Sequence, residues 1–327
     1  MKQVNIIDSL RSLAALSVCL YHFICTTTGL TFPGNVSSFF YYGQYGIYIF
    51  FTISGFIIPW SMYHNHYSLK SIFKFLSKRL IRLEPPYLVS IVLVLCFIFI
   101  KTKLHIGVES GDVISAKRIG LHFGYLINFF PQYKWLNNVY WTLAIEFQYY
   151  LAMSLMFFLY IDKRVLIRVI AYLICFIGAY YIPDPALYHY PAYAPLFLLG
   201  ICVFQYKTHI ITIYECIIII IACFAYNYIV IDPLMAYCGL LTALVILWFS
   251  SYKIPGLNQM GKMSYSIYLV HPIIGAAVVN ILSRHISNNF QKTGIIMVGL
   301  IVTFISAYIM YLLIEKTSKN LSSRIKL

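Results

Sequence analysis

Apolar stretches long enough to cross a bilayer recur along the chain, and they leave it few folds. A helix needs about 20 mostly apolar residues to span the hydrocarbon core. Runs of that kind, bounded by charge, proline or glycine, predict helices over 8–29, 41–62, 84–101, 138–161, 165–182, 192–206, 210–231, 234–250, 261–282 and 293–314. Of the 327 residues 61% are hydrophobic and only 10% charged, against about 25% charged in soluble domains. A soluble fold could not keep that much apolar surface from water. The expected architecture is an all-α integral membrane protein of about ten transmembrane helices. They form one bundle, with residues 1–327 as a single domain and both termini cytoplasmic. The apolar stretch 119–131 is too short to span and is expected at the interface or as a re-entrant segment.

Lysine and arginine set the orientation. With an amino terminus inside, the cytoplasmic loops collect Lys70, Lys74, Lys78, Arg79 and Arg82, then Lys163, Arg164 and Arg168, then the tail from Lys316 to Lys326. Topology thus accounts for most of the net charge of +14, and no nucleic-acid partner is needed. The first apolar run holds Asp8 and Arg11 and lacks a clean cleavage site, so it is expected to stay as a helix. The eight cysteines form no close CxxC pair and read as buried, reduced thiols. His64 and His66 are an isolated pair, so no metal is expected. The 30 tyrosines exceed what interface belts require and suggest a polar lining for an internal cavity.

Ionisable groups inside a membrane are costly, so each is a functional candidate. In IDSLRSLAALSVCLYHF, Arg11 and His22 are separated by three helical turns plus about 20°, so they share a face, about 16 Å apart along the axis. Asp8 joins that face. It can serve function or simply pair with Arg11 at i,i+3. His22 can move protons near neutral pH. In WTLAIEFQYY, Glu146 lies about 12 Å below the start of its helix. That is a depth similar to His22 and unlike Arg11 or Lys134, so a His–carboxylate pair is expected. In YSLKSIFKFLSKRLIRLEPPYL the lysines fit positive-inside bias and attraction to anionic lipid. Arg79 and Arg82, at i,i+3 before the Pro85–Pro86 break, can also clamp a phosphate. His271, followed by Pro272, is balanced between a site residue and a structural partner for a freed carbonyl. Gly43, Gly46, Ser54 and Gly55 suit close helix packing, with a slot for a slender ligand as the other reading.

Five of these segments, in order, resemble signatures of the membrane-bound acyltransferase 3 family. They are Arg11 with ten residues before His22, Phe50-Phe51 with Ser54-Gly55-Phe56, and Arg79–Arg82 with Pro85 and Tyr87. Trp141-Thr142-Leu143 with Glu146 and the late MSYSIYLVHP segment ending at His271-Pro272 complete the set. The chain departs from the family where Thr317 follows Glu315-Lys316, and where Glu84 stands in place of an aromatic residue. No esterase-like domain is expected after Ile314.

The resemblance implies O-acyl transfer, usually of acetyl from acetyl-CoA, to a hydroxyl of a cell-surface or exported glycan or a lipid-linked sugar. It implies a bacterial cytoplasmic (inner) membrane. It further implies that Arg11, Arg79, Arg82, Ser54, Gly55 and Tyr87 bind the donor, while His22, Glu146 and Asp8 are catalytic, with Trp141 and His271 also at the site. His22 then acts as general base oriented by Glu146, or carries the acyl group itself. Self-association is left open. The alternative is a proton-coupled secondary transporter of a small or sugar-like solute, because buried Asp, Glu, His and Arg also mark transporters. That reading lacks the expected repeat between halves and does not explain the paired arginines.

Overall fold

The computed structural model describes residues 4–27, 30, 32–103, 114–184, 187–285 and 288–326. The predicted end of the first helix at Gly29 lies outside them. Among the described residues every regular element is helical, as a bilayer demands, since backbone groups in lipid must be bonded within their own segment. In chain order these are α1 (Ile6–Cys25), α2 (Gly34–Tyr41), α3 (Gly46–His64), α4 (Ile72–Lys103) and α5 (Ala116–Phe123). Then come α6 (Tyr140–Tyr160), α7 (Val165–Tyr181), α8 (Tyr190–Lys207), α9 (Ile213–Tyr226) and α10 (Pro233–Phe249). The last third holds α11 (Leu257–Gly261), α12 (Ser264–Val270), α13 (Ala276–Leu282), α14 (Asn289–Met310) and α15 (Lys316–Ser323).

Each of the ten predicted segments is helical. Seven helical stretches are long and apolar enough to cross a membrane, and α7 and α10 are shorter apolar helices. The protein is an integral membrane protein of all-α class. Helix α8 forms its centre, buried continuously from Ala192 to Gln205. It sits there because two glycines let backbones touch. A Cβ on Gly55 of α3 would strike the Phe197 carbonyl, and one on Gly200 of α8 would strike the Thr52 carbonyl. Small residues at such crossings are how helices associate without a hydrophobic drive between them.

One expectation is corrected. The Pro85–Pro86 pair does not break the chain, and α4 runs through it for 32 residues. Proline frees carbonyls one turn back, and neighbouring helices can supply donors to such a stretch. The carbonyls so freed are those of Ile81 and Arg82; next to them the Tyr265 hydroxyl donates to the Leu83 carbonyl at 3.0 Å. Arg79 and Arg82 therefore ride on a membrane helix and not in a loop before it. The 119–131 segment is in two pieces, the end of the short helix α5 and a 3-10 turn at Ile127–Phe129.

Three π-turns widen the helices, at Asn227–Ile231, His271–Gly275 and Tyr311–Glu315. The second follows from Pro272. The ends of the described chain gather at one end of the bundle. Asn258 donates to the Asn5 carbonyl, Lys78 to the Ile325 carbonyl, and Lys319 to the Lys262 carbonyl.

Candidate functional cavity and histidine pair

A cavity of about 520 Å³ lies between α1, α3, α4, α6, α12 and the last helices. That size is typical of small-molecule and cofactor sites, roughly 300–1,000 Å³. It gathers residues scattered over the whole chain: Asp8 and Arg11 from α1, Ser54 from α3, Arg79 and Arg82 from α4, and Glu146 from α6. Glu315 and Lys319 face it from the carboxy-terminal end.

The carboxylates are held in place. Glu146 Oε1 accepts from Ser54 Oγ at 2.7 Å and from the Tyr150 hydroxyl at 2.6 Å. Glu315 Oε2 accepts from Ser266 N at 3.1 Å and Ser266 Oγ at 2.5 Å, and Oε1 pairs with Lys319 at 2.6 Å. The arginines are different. Among the described residues no ion pair joins Arg11, Arg79 or Arg82 to a carboxylate within 4.0 Å. Arg79 is only 7% exposed. Its guanidinium lies against the Phe75 ring at 5.3 Å and the Tyr150 ring at 5.8 Å. Its Nε has no hydrogen-bond partner. A buried cation without a close ion-pair partner is costly, and Arg79 is one, with Glu146 acting on it only at longer range.

Phe50, Thr142 and Tyr268 also line the cavity. Tyr268 is anchored there, its hydroxyl 2.9 Å from Thr142 Oγ1, with its ring 5.8 Å from that of Phe50. One turn beyond, the His271 ring lies 5.8 Å from Tyr268. There His271 meets His22, with the ring centroids 5.0 Å apart and His271 Nε2 3.2 Å from His22 Nδ1. His22 sits in the last turn of α1, half-buried, while His271 is fully buried.

The expected pairing of His22 with Glu146 does not form. Arg11 lies within electrostatic reach of Glu146, and His22 is three turns further along α1, about 16 Å away. The depth argument fails because His22 is nearly at the end of its helix, whereas Glu146 lies well inside α6. Depth therefore does not exclude Arg11 as a neighbour of Glu146; the two share the cavity.

Of the other residues singled out, Gly55 faces α8 and not the cavity. Tyr87 is buried, stacked on Tyr125 at 5.0 Å, with its hydroxyl on the His122 carbonyl at 3.1 Å. Trp141 stacks on Tyr188 at 4.7 Å. None of these lines the cavity. Glu315, Lys319, Tyr150, Tyr265 and Tyr268 line it without having been singled out. Their signals were the Glu-Lys pair ending the last apolar run and the surplus of tyrosine. Outside the spans, His122 fixes the segment before α6. Its Nδ1–H donates to the Arg118 carbonyl at 2.8 Å and its Nε2 accepts from Leu136 N at 3.0 Å. Burial pushes its pKa down to about 4.

The structure is a helical membrane bundle with an arginine-lined cavity and, beyond Tyr268, a contact between His22 and His271. A family model described as an acyltransferase domain, Acyl_transf_3, matches residues 4–313. The chain belongs to that family and is an integral membrane acyltransferase. No curated protein and no solved structure matched it.

Proposed function

We propose that the protein moves an acetyl group from acetyl-CoA to a hydroxyl of a cell-surface or exported glycan, or of its lipid-linked precursor, from a bacterial inner membrane. The carrying observation is the set of unpaired arginines, Arg11, Arg79 and Arg82, around one cavity. An acyl-CoA is an anion with a long thin arm. Its phosphates suit the guanidinium forks of Arg79 and Arg82. With the amino terminus inside, the cavity draws its donor from the cytoplasm, where acyl-CoA is made, and surrounding anionic lipid fits the exposed lysines of the same face. Asp8, Glu146 and Ser54 shape the charge around the arm, and Arg11 leads it toward His22.

His22 supplies the acid–base step. Its Nε2 takes the proton of the acceptor hydroxyl while that oxygen bonds to the thioester carbon, and the carbon–sulfur bond breaks to release the CoA thiolate. In the covalent variant Nε2 itself bonds to the carbonyl carbon, and the hydroxyl displaces it in a second step. Apolar side chains of the cavity wall, Ile47, Phe50 and Leu143 among them, keep water from the thioester.

The test is calorimetric binding of acetyl-CoA to protein in nanodiscs, with transfer of labelled acetyl followed in cells. Arg82→Ala is expected to weaken binding by roughly ten- to hundredfold, the worth of charge-assisted hydrogen bonds. His22→Ala is expected to bind normally and transfer nothing. No affinity of the wild type for acetyl-CoA or any other acyl-CoA refutes the reading.

A further inference from the structure

We propose that His271 is the positioning partner of His22, receiving its Nδ1 proton as charge develops on the His22 ring. This rests on the acyl-transfer reading above and gives His271 the role that a carboxylate fills in many His-centred sites.

The hydrogen bonds settle which nitrogen carries which proton. His271 Nδ1 lies 3.2 Å from the Ile267 carbonyl. A carbonyl only accepts, so in the neutral ring this nitrogen bears the hydrogen and Nε2 presents a lone pair. His22 Nδ1 lies 2.9 Å from the Val18 carbonyl, so it too bears hydrogen. The 3.2 Å contact between the rings then has one sense: His22 Nδ1–H donates to His271 Nε2, shared with Val18. His22 Nε2 is left as a bare lone pair, the base or nucleophile that the reaction requires.

Both routes place positive charge on His22. Protonated by the acceptor hydroxyl, it is an imidazolium; acylated at Nε2, it is an acyl-imidazolium. In each case Nδ1–H is the group that spreads or sheds that charge. The Val18 carbonyl can accept a hydrogen bond but cannot take the proton, whereas His271 Nε2 can. In the covalent route the balance is complete: Nε2 bonds to the carbonyl carbon, the thiolate leaves, and the Nδ1 proton passes to His271. It returns to His22 Nδ1 when the acceptor hydroxyl attacks; the hydroxyl's own proton goes to the departing Nε2 and from there to the released thiolate, which restores both neutral rings and leaves CoA as its thiol.

The fold explains why His271 stays in place. It begins the π-turn made by Pro272, and a Cβ on Gly275 in that turn would strike Thr303 and the Phe23 ring of α1. That packing locks the turn against the same helix that carries His22. Groups that orient a functional histidine typically contribute 10–100-fold, as the outer partners of metal-bound histidines do.

The experiment uses full-length protein in nanodiscs with acetyl-CoA as probe. It measures donor affinity by calorimetry, single-turnover release of thiol, and the ¹⁵N resonance of His22 Nδ1. His271→Phe is expected to keep donor affinity within about twofold, because His271 is outside the cavity lining. It should slow thiol release by about 10–100-fold and shift the Nδ1 resonance. His271→Gln, whose amide oxygen can accept from Nδ1–H, should recover at least part of the rate and of the resonance. A purely structural histidine predicts no such recovery. Wild-type thiol release in His271→Phe overturns the proposal. So does an unmoved Nδ1 resonance in both variants, and that readout decides even if the wild type proves not to use acetyl-CoA.

Discussion

Ser54 Oγ donates to Glu146 Oε1 at 2.7 Å, tying the middle of α3 to the middle of α6 across the cavity wall. The same oxygen accepts from Tyr150, one turn further along α6. Removing one donor should cost about 1 kcal/mol, and removing both should cost more than the sum, because a carboxylate is then left without a donor. The prediction is that Ser54→Ala and Tyr150→Phe each lower thermal stability slightly. The double variant should fall by at least ~1 kcal/mol beyond additivity. Thermal unfolding in detergent checks it; strictly additive losses would show that Glu146 is held by something else.

Arg79 is predicted to trade stability against function. It is a buried cation with aromatic neighbours, no carboxylate partner and an unsatisfied Nε. Replacing such a group with an apolar side chain of similar reach is often neutral or stabilising. Arg79→Met is expected to leave the melting temperature unchanged or raise it, while weakening acetyl-CoA binding at least tenfold. A variant that melts lower and binds normally would contradict the assignment.

The α3–α8 crossing should tolerate nothing larger than glycine. Gly55→Ala drives a methyl into the Phe197 backbone, whereas Gly34 has nothing within 4 Å of the same position. Overpacking costs roughly 1–3 kcal/mol. Gly55→Ala should therefore melt several degrees below wild type, with Gly34→Ala as the near-neutral control. Equal behaviour of the two would mean that the helices are not in backbone contact.

His122 makes a pH prediction. Its folded pKa is near 4, below an ordinary value of about 6.5. Between these values the unfolded chain binds a proton that the folded protein does not, so stability rises with pH across the window. His122 should favour folding fully above pH ~6.5 and lose that contribution as pH falls toward 4. His122→Gln, which retains a donor and an acceptor, should flatten this part of the stability curve. An unchanged slope in the variant would assign the acid sensitivity to other groups.

Much of the fold was legible because bilayer physics leaves a strong mark: each long apolar run is a helix. The cavity cations were legible for the same reason, since Arg11, Arg79 and Arg82 are costly wherever lipid should be. What failed was relative depth. Counting residues from a presumed helix start placed His22 beside Glu146, yet a shift of a few turns between antiparallel helices is invisible in sequence. The Pro85–Pro86 pair misled by its usual local meaning, which a membrane-spanning helix packed among neighbours can override. The His22–His271 contact joins residues 249 positions apart, and no local pattern announces it. Glu315 and Lys319 were passed over because they sit where a span ends, and there a charge needs no special explanation.

Glycine is distributed unevenly around the cavity. Gly46 sits on α1 at Ala14 and Ser17, Gly55 and Gly200 join α3 to α8, and Gly261 rests on the Asp8 backbone. These backbone contacts weld α1, α3, α8 and α11 into one frame, which carries Asp8, Arg11 and Ser54. Helix α4 has no glycine, and meets its neighbours through longer side chains such as Phe75, Tyr87 and Arg79. The cavity thus has one wall welded by backbone contact and one wall, α4, held by side chains alone.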